Sequence, residues 1–161
     1  MQHPKIESVN SQHYPELIEL WEKSVRATHD FLSEADIKQY KRLIFEQYFD
    51  QLQLFCVKTA NKIDGFIGIN GKLIQMLFVD PNAMGRGIGK SLIQYGIRKH
   101  SVNEVGVNEQ NEQAVGFYKH LGFQIAERFE GDAAGKPYPV LSMTLPKRLF
   151  FLSFCYLCYT F

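Results

Sequence analysis

Cysteine is scarce: the 161 residues hold three, an odd number that excludes a closed disulfide framework. Cys56 lies in the apolar run Leu54-Phe55-Cys56-Val57 and reads as a small buried hydrophobe. Cys155 and Cys158 form a Cys-x-x-Cys, yet they lack both the second ligand pair of a zinc site and the βαβ setting of a redox motif. Long apolar runs are missing too: none approaches the roughly 20 residues of a membrane helix. The start, Met1 to Asn10, has no basic-then-apolar leader, so the expectation is a cytoplasmic protein with no membrane partner. Charge of one sign is also absent, since 18 Lys and Arg face 17 Asp and Glu for a net +1. That balance excludes a broad basic face, and no nucleic-acid partner is expected. No His, Cys, Asp or Glu cluster has metal-ligand spacing, so no metal is expected, and there are no internal repeats.

What is present is a large apolar fraction, 45% of the residues, enough for one domain with a real core and too little chain for two ordinary ones. Residues 1–145 read as that domain. Pro146 to Phe161 reads as a separate apolar, aromatic tail of unknown role, too short to span a bilayer: packing on the domain, extension of a sheet edge, burial between two copies of the chain and a reading-frame artefact all stay open. A homodimer is therefore among the partners considered.

Period and punctuation place the elements. Lys5 to Val9 reads as a strand. A helix from His13 to Ala27 follows, with Tyr14, Leu17, Ile18, Trp21 and Val25 on one face. Ser33 caps a second helix with Asp36 three residues on, and Ile37, Tyr40, Ile44, Tyr48 and Leu52 carry its stripe. Leu54 to Thr59, Gly65 to Asn70 and Lys72 to Val79 form a meander through turns at Asn61 to Asp64 and at Asn70-Gly71. The last of these strands is apolar on both faces and is expected at the centre of the sheet. A helix to His100, burying Ile88, Leu92, Ile93 and Ile97, then leads to a strand at Glu104 to Asn108. The helix Glu112 to Leu121 ends at Gly122, a suitable residue just past a helix end. Phe123 to Glu130 and Val140 to Leu145 close the fold as a hairpin.

Between Val79 and that third helix lies Asp80-Pro-Asn-Ala-Met-Gly-Arg-Gly-Ile-Gly-Lys90. Glycines let the backbone approach a ligand, the helix start aims N–H groups and a positive dipole end at the loop, and Arg86 and Lys90 add cationic donors. The guest is phosphate-bearing. Two common phosphate loops fail on spacing: a Walker A loop ending in Gly89-Lys90-Ser91 needs its first glycine where Met84 stands, and a dinucleotide Gly-x-Gly-x-x-Gly fits from neither Gly85 nor Gly87.

The pattern that fits is a head residue, two further residues, then Gly-x-Gly, filled by Met84, Gly85, Arg86, Gly87, Ile88 and Gly89. It resembles the pyrophosphate loop of the GNAT superfamily of acetyl-CoA-dependent N-acetyltransferases, with Met84 where that family usually has Arg or Gln. A second motif, Asn111-x-x-Ala114-x-x-Phe117-Tyr118-x-x-x-Gly122-Phe123, matches the same superfamily in order and distance. Within it, Ser24 to Ser33, Leu77 to Pro81, Asn108 to Lys119 and Gly135 to Pro139 resemble the bacterial YjaB-type branch. The likeness covers residues 5 to 145.

The resemblance implies an α/β (α+β) fold: a mixed, mostly antiparallel sheet of about seven strands flanked by four helices, with two parallel central strands splayed apart to admit acetyl-CoA. It implies that Leu77, Phe78 and Val79 meet the pantetheine arm and acetyl oxygen. Met84 to Lys90 would grip the pyrophosphate, and Asn111, Ala114, Phe117 and Tyr118 would flank the cofactor. Tyr118 would be the general acid for the leaving thiolate, although composition alone favours a core tyrosine. Asn108 would orient the amine or a water, or merely end its strand, and Asn111 equally suits a helix cap. Trp21, His29, Phe31 and Tyr138 would line the acceptor pocket, while period alone assigns Trp21 and Phe31 to the core. For the base, Glu109, His29, Asp30 and bulk water stay open. The implied activity is acetyl transfer to a primary amine, a protein lysine or a small molecule, and the alternative is an acyl-CoA-binding module without turnover.

Overall fold

The computed structural model describes residues 4–146; the tail beyond Pro146, with Cys155 and Cys158, lies outside the described residues. Two compact units follow one another, meeting in the chain between Val102 and Asn103. Seven strands form one sheet in the order β1-β2-β3-β4-β5-β7-β6.

The first unit contributes β1 (Ile6–Ser8), β2 (Gln53–Thr59), β3 (Lys62–Asn70) and β4 (Leu73–Val79), each antiparallel to the next. Helix α1 (Tyr14–Thr28) follows a capped 3-10 turn in which the Asn10 side chain accepts from the Gln12 amide. Its buried residues, Leu17, Ile18, Leu20, Trp21, Ser24 and Val25, keep the 3.6-residue period and pack on β3 and β4. In α2 (Glu34–Leu43) the Ser33 hydroxyl accepts from the Asp36 amide at 3.1 Å, the expected cap.

The long stripe predicted through Leu52 does not continue as one helix. Ile44–Tyr48 forms a π turn and Phe49–Gln51 a 3-10 turn. The wider turn rotates the chain, so Phe49 rather than Tyr48 is fully buried, with its ring 5.0 Å from that of Tyr14. The predicted turn at Asn61 to Asp64 is also displaced. The hairpin closes on Ala60 and Asn61, whose φ angles of 50° and 64° are those of a tight two-residue connection, and Lys62 to Asp64 belong to β3.

Strand β3 is buried at every position from Ile63 to Ile69, whereas β4, fourth in the sheet order, is half-buried at Leu77, Phe78 and Val79. Helix α3 (Ile88–His100) packs on β2, β3 and β4 and buries Ile88, Leu92 and Ile93. Ile97 is only half-buried; Gly96 takes the place on the sheet, and a Cβ there would sit 3.4 Å from Ile69 Cδ1.

The second unit is a three-stranded antiparallel group, β5 (Glu104–Asn108), β7 (Val140–Thr144) and β6 (Gln124–Phe129), with β7 in the middle. Val105, Val107, Leu141 and Met143 are buried, while β6 is exposed along its length. Helix α4 (Glu112–His120) buries Val115 and Tyr118; Ala114 and Phe117 of the second motif are half-buried.

Candidate functional site

In the first unit, the candidate phosphate loop starts from Asp80. Its carboxylate accepts from the Asn82 amide at 2.9 Å and opens a 3-10 turn, Pro81–Ala83. Met84 is extended and 39% exposed, Gly85 and Gly87 have φ of 77° and 78°, and α3 starts at Ile88. That left-handed backbone is open to glycine at little cost. Gly89 differs from expectation: it lies inside α3 rather than in the turn. No side chain caps α3 at Gly87, so the first N–H groups keep their binding capacity and the positive end of the dipole. A Cβ built at Gly85 or Gly87 would meet nothing within 4 Å, so the cradle is open, and it fits a pyrophosphate.

Gly65 sets where this helix begins. A Cβ at Gly65 would lie 2.8 Å from Ile88 Cγ2 and 3.1 Å from the Phe78 carbonyl oxygen, so only a glycine lets the first turn of α3 settle on β3. Beneath the loop, buried Asp80 accepts from Lys23 Nζ at 2.8 and 3.0 Å and from Lys62 Nζ at 2.7 Å. Burial pushes its carboxyl up, but the two ammonium groups and the Asn82 amide together outweigh that and hold it well below the usual carboxylate range. Arg86 stands with Nη1 3.6 Å from Oδ2 of Asp64, a buried residue that motif reading passed over. An acid inside the apolar run Ile63 to Ile69 was its only signal.

Phe78 stacks edge-on against Trp21 at 6.3 Å and lies 5.7 Å from Phe66. Trp21 itself is buried in the core cluster with Leu17, Val25 and Phe66, as its period indicated, and reaches β4 through Phe78.

In the second unit, the tyrosine motif is built at both ends of α4. Asn111 caps the helix, its Oδ1 accepting from the Ala114 amide at 3.1 Å, which leaves the Nδ2 donors for another partner. Asn108 is the last residue of β5, paired with Val140, and its carbonyl accepts from the Asn111 amide at 3.0 Å. At the far end the Phe123 amide donates to the Tyr118 carbonyl and the Gly122 amide to that of Lys119, both at 3.0 Å, with Gly122 at φ 95°. This is a Schellman closure, and its usual apolar contact is here the Phe123 ring edge-on to Tyr118, 5.6 Å between centroids. Tyr118 is 5% exposed, and burial holds its phenol well above the ordinary value. It remains a protonated donor.

On the early helices the proton inventory determines a tautomer. Thr28 Oγ1 donates to the Ser24 carbonyl at 2.8 Å and lies 2.7 Å from His29 Nδ1. A hydroxyl has one proton and a carbonyl only accepts, so Nδ1–H donates to Thr28 and Nε2 keeps a lone pair. Burial lowers the His29 pKa from 6.5 to about 4, against a small upward pull from Asp30, and its ring lies 5.3 Å from Phe31. Tyr138, on the loop between β6 and β7, is half-buried.

Glu109 is unsuited as a base. Arg128 Nε and Nη2 both donate to it at 2.8 Å and hold its carboxyl below the usual range. Among the described residues no group of three or more His, Cys, Asp or Glu could hold a metal, and no helix is long and apolar enough to cross a membrane. Cys56 is buried, and burial raises its thiol.

Among known proteins, residues 17–135 match the model of the acetyltransferase (GNAT) domain. The chain is 40% identical over 130 residues to the peptidyl-lysine N-acetyltransferase YjaB of Salmonella typhimurium, covering 81% of this chain and 90% of that protein. The solution structure of apo-form YjaB from Escherichia coli is similar with a TM-score of 0.80 and 35% identity, covering 87% of this chain and 95% of that one. The PaiA N-acetyltransferase of Thermoplasma acidophilum, in complex with coenzyme A, has a TM-score of 0.70 at 19% identity over 89% and 99% of the two chains, a likeness of fold alone. Among the described residues the expected architecture is present: a seven-stranded mixed sheet and four α-helices.

Proposed function

Because the chain belongs to the GNAT family of N-acetyltransferases, we propose that it carries the acetyl group of acetyl-CoA to a lysine amine on a protein acceptor. The acceptor class rests on the name of the YjaB relative. The observation that carries the cofactor reading is the uncapped start of α3 behind Gly85 and Gly87.

Met84 to Lys90 then bind pyrophosphate through successive N–H groups, with Arg86 and Lys90 beside them. The half-buried Leu77, Phe78 and Val79 offer backbone groups to the pantetheine arm and the acetyl oxygen. Asn111, through Nδ2, with Ala114 and Phe117, flanks the same arm. The amine nitrogen attacks the thioester carbon, negative charge develops on the acetyl oxygen and is met by a β4 amide, and the carbon–sulfur bond breaks. The thiolate takes the Tyr118 proton; the amine's surplus proton passes to water and Tyr118 is reprotonated from solvent.

On the acceptor side, neutral His29 presents Nε2 as a hydrogen-bond acceptor to the incoming amine, with Phe31, Tyr138 and, behind Phe78, Trp21 as walls. A group titrating near 4 is too weak a base to deprotonate an ammonium, so its role is orientation. Asn108 orients the amine or a water. We place the reaction in the cytoplasm, where Cys56 stays reduced, and assign no role to nucleic acid. A second copy as partner rests on the tail alone, and sedimentation with and without residues 147–161 reads it.

Free-thiol release from acetyl-CoA over a panel of lysine peptides, polyamines and small amines tests this reading, with Tyr118→Phe alongside. Turnover on peptides that drops in the variant supports it; turnover confined to small amines moves the acceptor class. The engagement of Glu109 by Arg128 favours a second reading, an acyl-CoA-binding module, which would bind acetyl-CoA and turn over none of the panel.

A further inference from the structure

We propose that Asp64 is a positioning residue for the phosphate loop: its buried carboxylate holds the Arg86 guanidinium over the start of α3, so that Arg86 supplies the cation Met84 does not. The proposal rests on the reading of Met84 to Lys90 as the pyrophosphate cradle of acetyl-CoA.

The backbone explains why an acid stands there. Val57 pairs with Gly65 and Lys58 with Ile63, so Asp64 is the extra residue of a β-bulge and has no partner on β2. Regular alternation would put Ile63 and Phe66 on opposite faces of β3, yet both belong to the core cluster shared with α1. The bulge rotates the strand by one place and re-aims the inserted side chain. On its other side the Asp64 carbonyl accepts from the Asp80 amide at 2.8 Å, which fixes it beside the root of the loop.

Charge accounting then singles out Arg86. Asp80 engages Lys23 and Lys62. Asp64 is 6% exposed, and its Oδ2 has no hydrogen-bond donor; its ion pair is with Arg86, at 3.6 Å. A buried carboxylate so poorly satisfied is costly in an otherwise apolar strand. What it achieves is electrostatic restraint of a side chain that is 54% exposed. Because the separation is beyond hydrogen-bond reach, the guanidinium donors remain unspent for a phosphate oxygen. Preorganising a long side chain in this way lowers the ordering cost of binding.

The test compares acetyl-CoA with acetyl-pantetheine, which carries the same thioester and no phosphate, as donors for the full chain. In wild type, acetyl-CoA should have the lower KM; equal values would sink the cradle reading itself rather than the role of Asp64. Arg86→Ala should raise the acetyl-CoA KM about tenfold, the scale of one charge-assisted contact, and leave acetyl-pantetheine unaffected. Adding Met84→Arg should restore most of the loss. Asp64→Asn should raise the acetyl-CoA KM about threefold, as preorganisation is worth less than the contact it prepares, and should add nothing in the Arg86→Ala background. An Asp64→Asn effect that appears equally with acetyl-pantetheine, persists without Arg86 or lowers KM overturns the proposal. Should that variant fail to fold, NMR of the wild-type Arg86 Nε–H group decides: an ordered, slowly exchanging signal supports the tether, and an averaged one overturns it.

Discussion

Residues 84–90 and residues 111–123 each set a functional group at a helix end, by opposite means. At α3 the helix is left unfinished: no side chain caps Gly87, and the N–H groups themselves are the proposed binding surface. At α4 the end is sealed. Gly122 and Phe123 complete the Schellman closure and the Phe123 ring holds Tyr118, so the functional group there is one buried side chain. In the proposed reading the open end works through backbone N–H groups together with Arg86, and it should forgive a change of the methionine at its head. The sealed end depends on a single phenol and on the closure that fixes its ring.

The sharpest break of that comparison is Tyr118→Phe, which keeps the ring packing and removes the proton. We expect kcat to fall about a hundredfold, the lower end of a positioned acid's contribution, with KM for acetyl-CoA and thermal stability nearly unchanged; thiol-release kinetics and a melting curve check this. The next effect is a matched pair. Gly122→Ala and Gly87→Ala each force a Cβ into left-handed backbone at about 1 to 2 kcal/mol, and the two should diverge in kinetics. Loosening Tyr118 lowers kcat, whereas disturbing the cradle raises KM for acetyl-CoA. If both changes fell on the same constant, the division of labour would be wrong.

A smaller effect separates His29, the histidine proposed for the acceptor side. Burial depresses the His29 pKa from 6.5 to about 4, so the unfolded chain binds its proton first as pH drops. Stability should therefore be full above pH 6.5 and decline toward pH 4, and His29→Gln should flatten that part of an acid-denaturation series. The raised phenol of Tyr118 has the opposite sense: its contribution holds below the ordinary value of 10.0 and is lost as pH climbs beyond it. Smallest of all is Met84→Arg alone, expected to lower KM for acetyl-CoA no more than about twofold while Arg86 is present, because an exposed charge is well screened.

Much of both helix ends was legible from residues alone, since capping is local chemistry. Ser33, Asn111 and Gly122 occupy the positions their side chains or missing side chain demand, and the glycine spacing of the loop survives except that Gly89 lies in the helix. The misses have a common origin in partners distant along the chain. Phe49 is buried because a π turn shifts the register of the segment, which no stripe of apolar residues reveals. Glu109 reads from sequence as a candidate base, whereas Arg128, on β6, occupies both of its oxygens. Asp64 could not be singled out without the bulge that only the pairing of β2 with β3 defines.

The order of residues by itself determined the family motifs, the helix caps and the identity of the groups able to bind phosphate or donate a proton, because each depends on neighbours within a turn or two. Tertiary structure alone decided the protonation and direction of those groups. Burial raises the Tyr118 phenol and lowers the His29 imidazole, Thr28 selects the His29 tautomer, and the bulge aims Asp64 at Arg86. Solvation and charge pairing act through space, between segments that the sequence holds far apart.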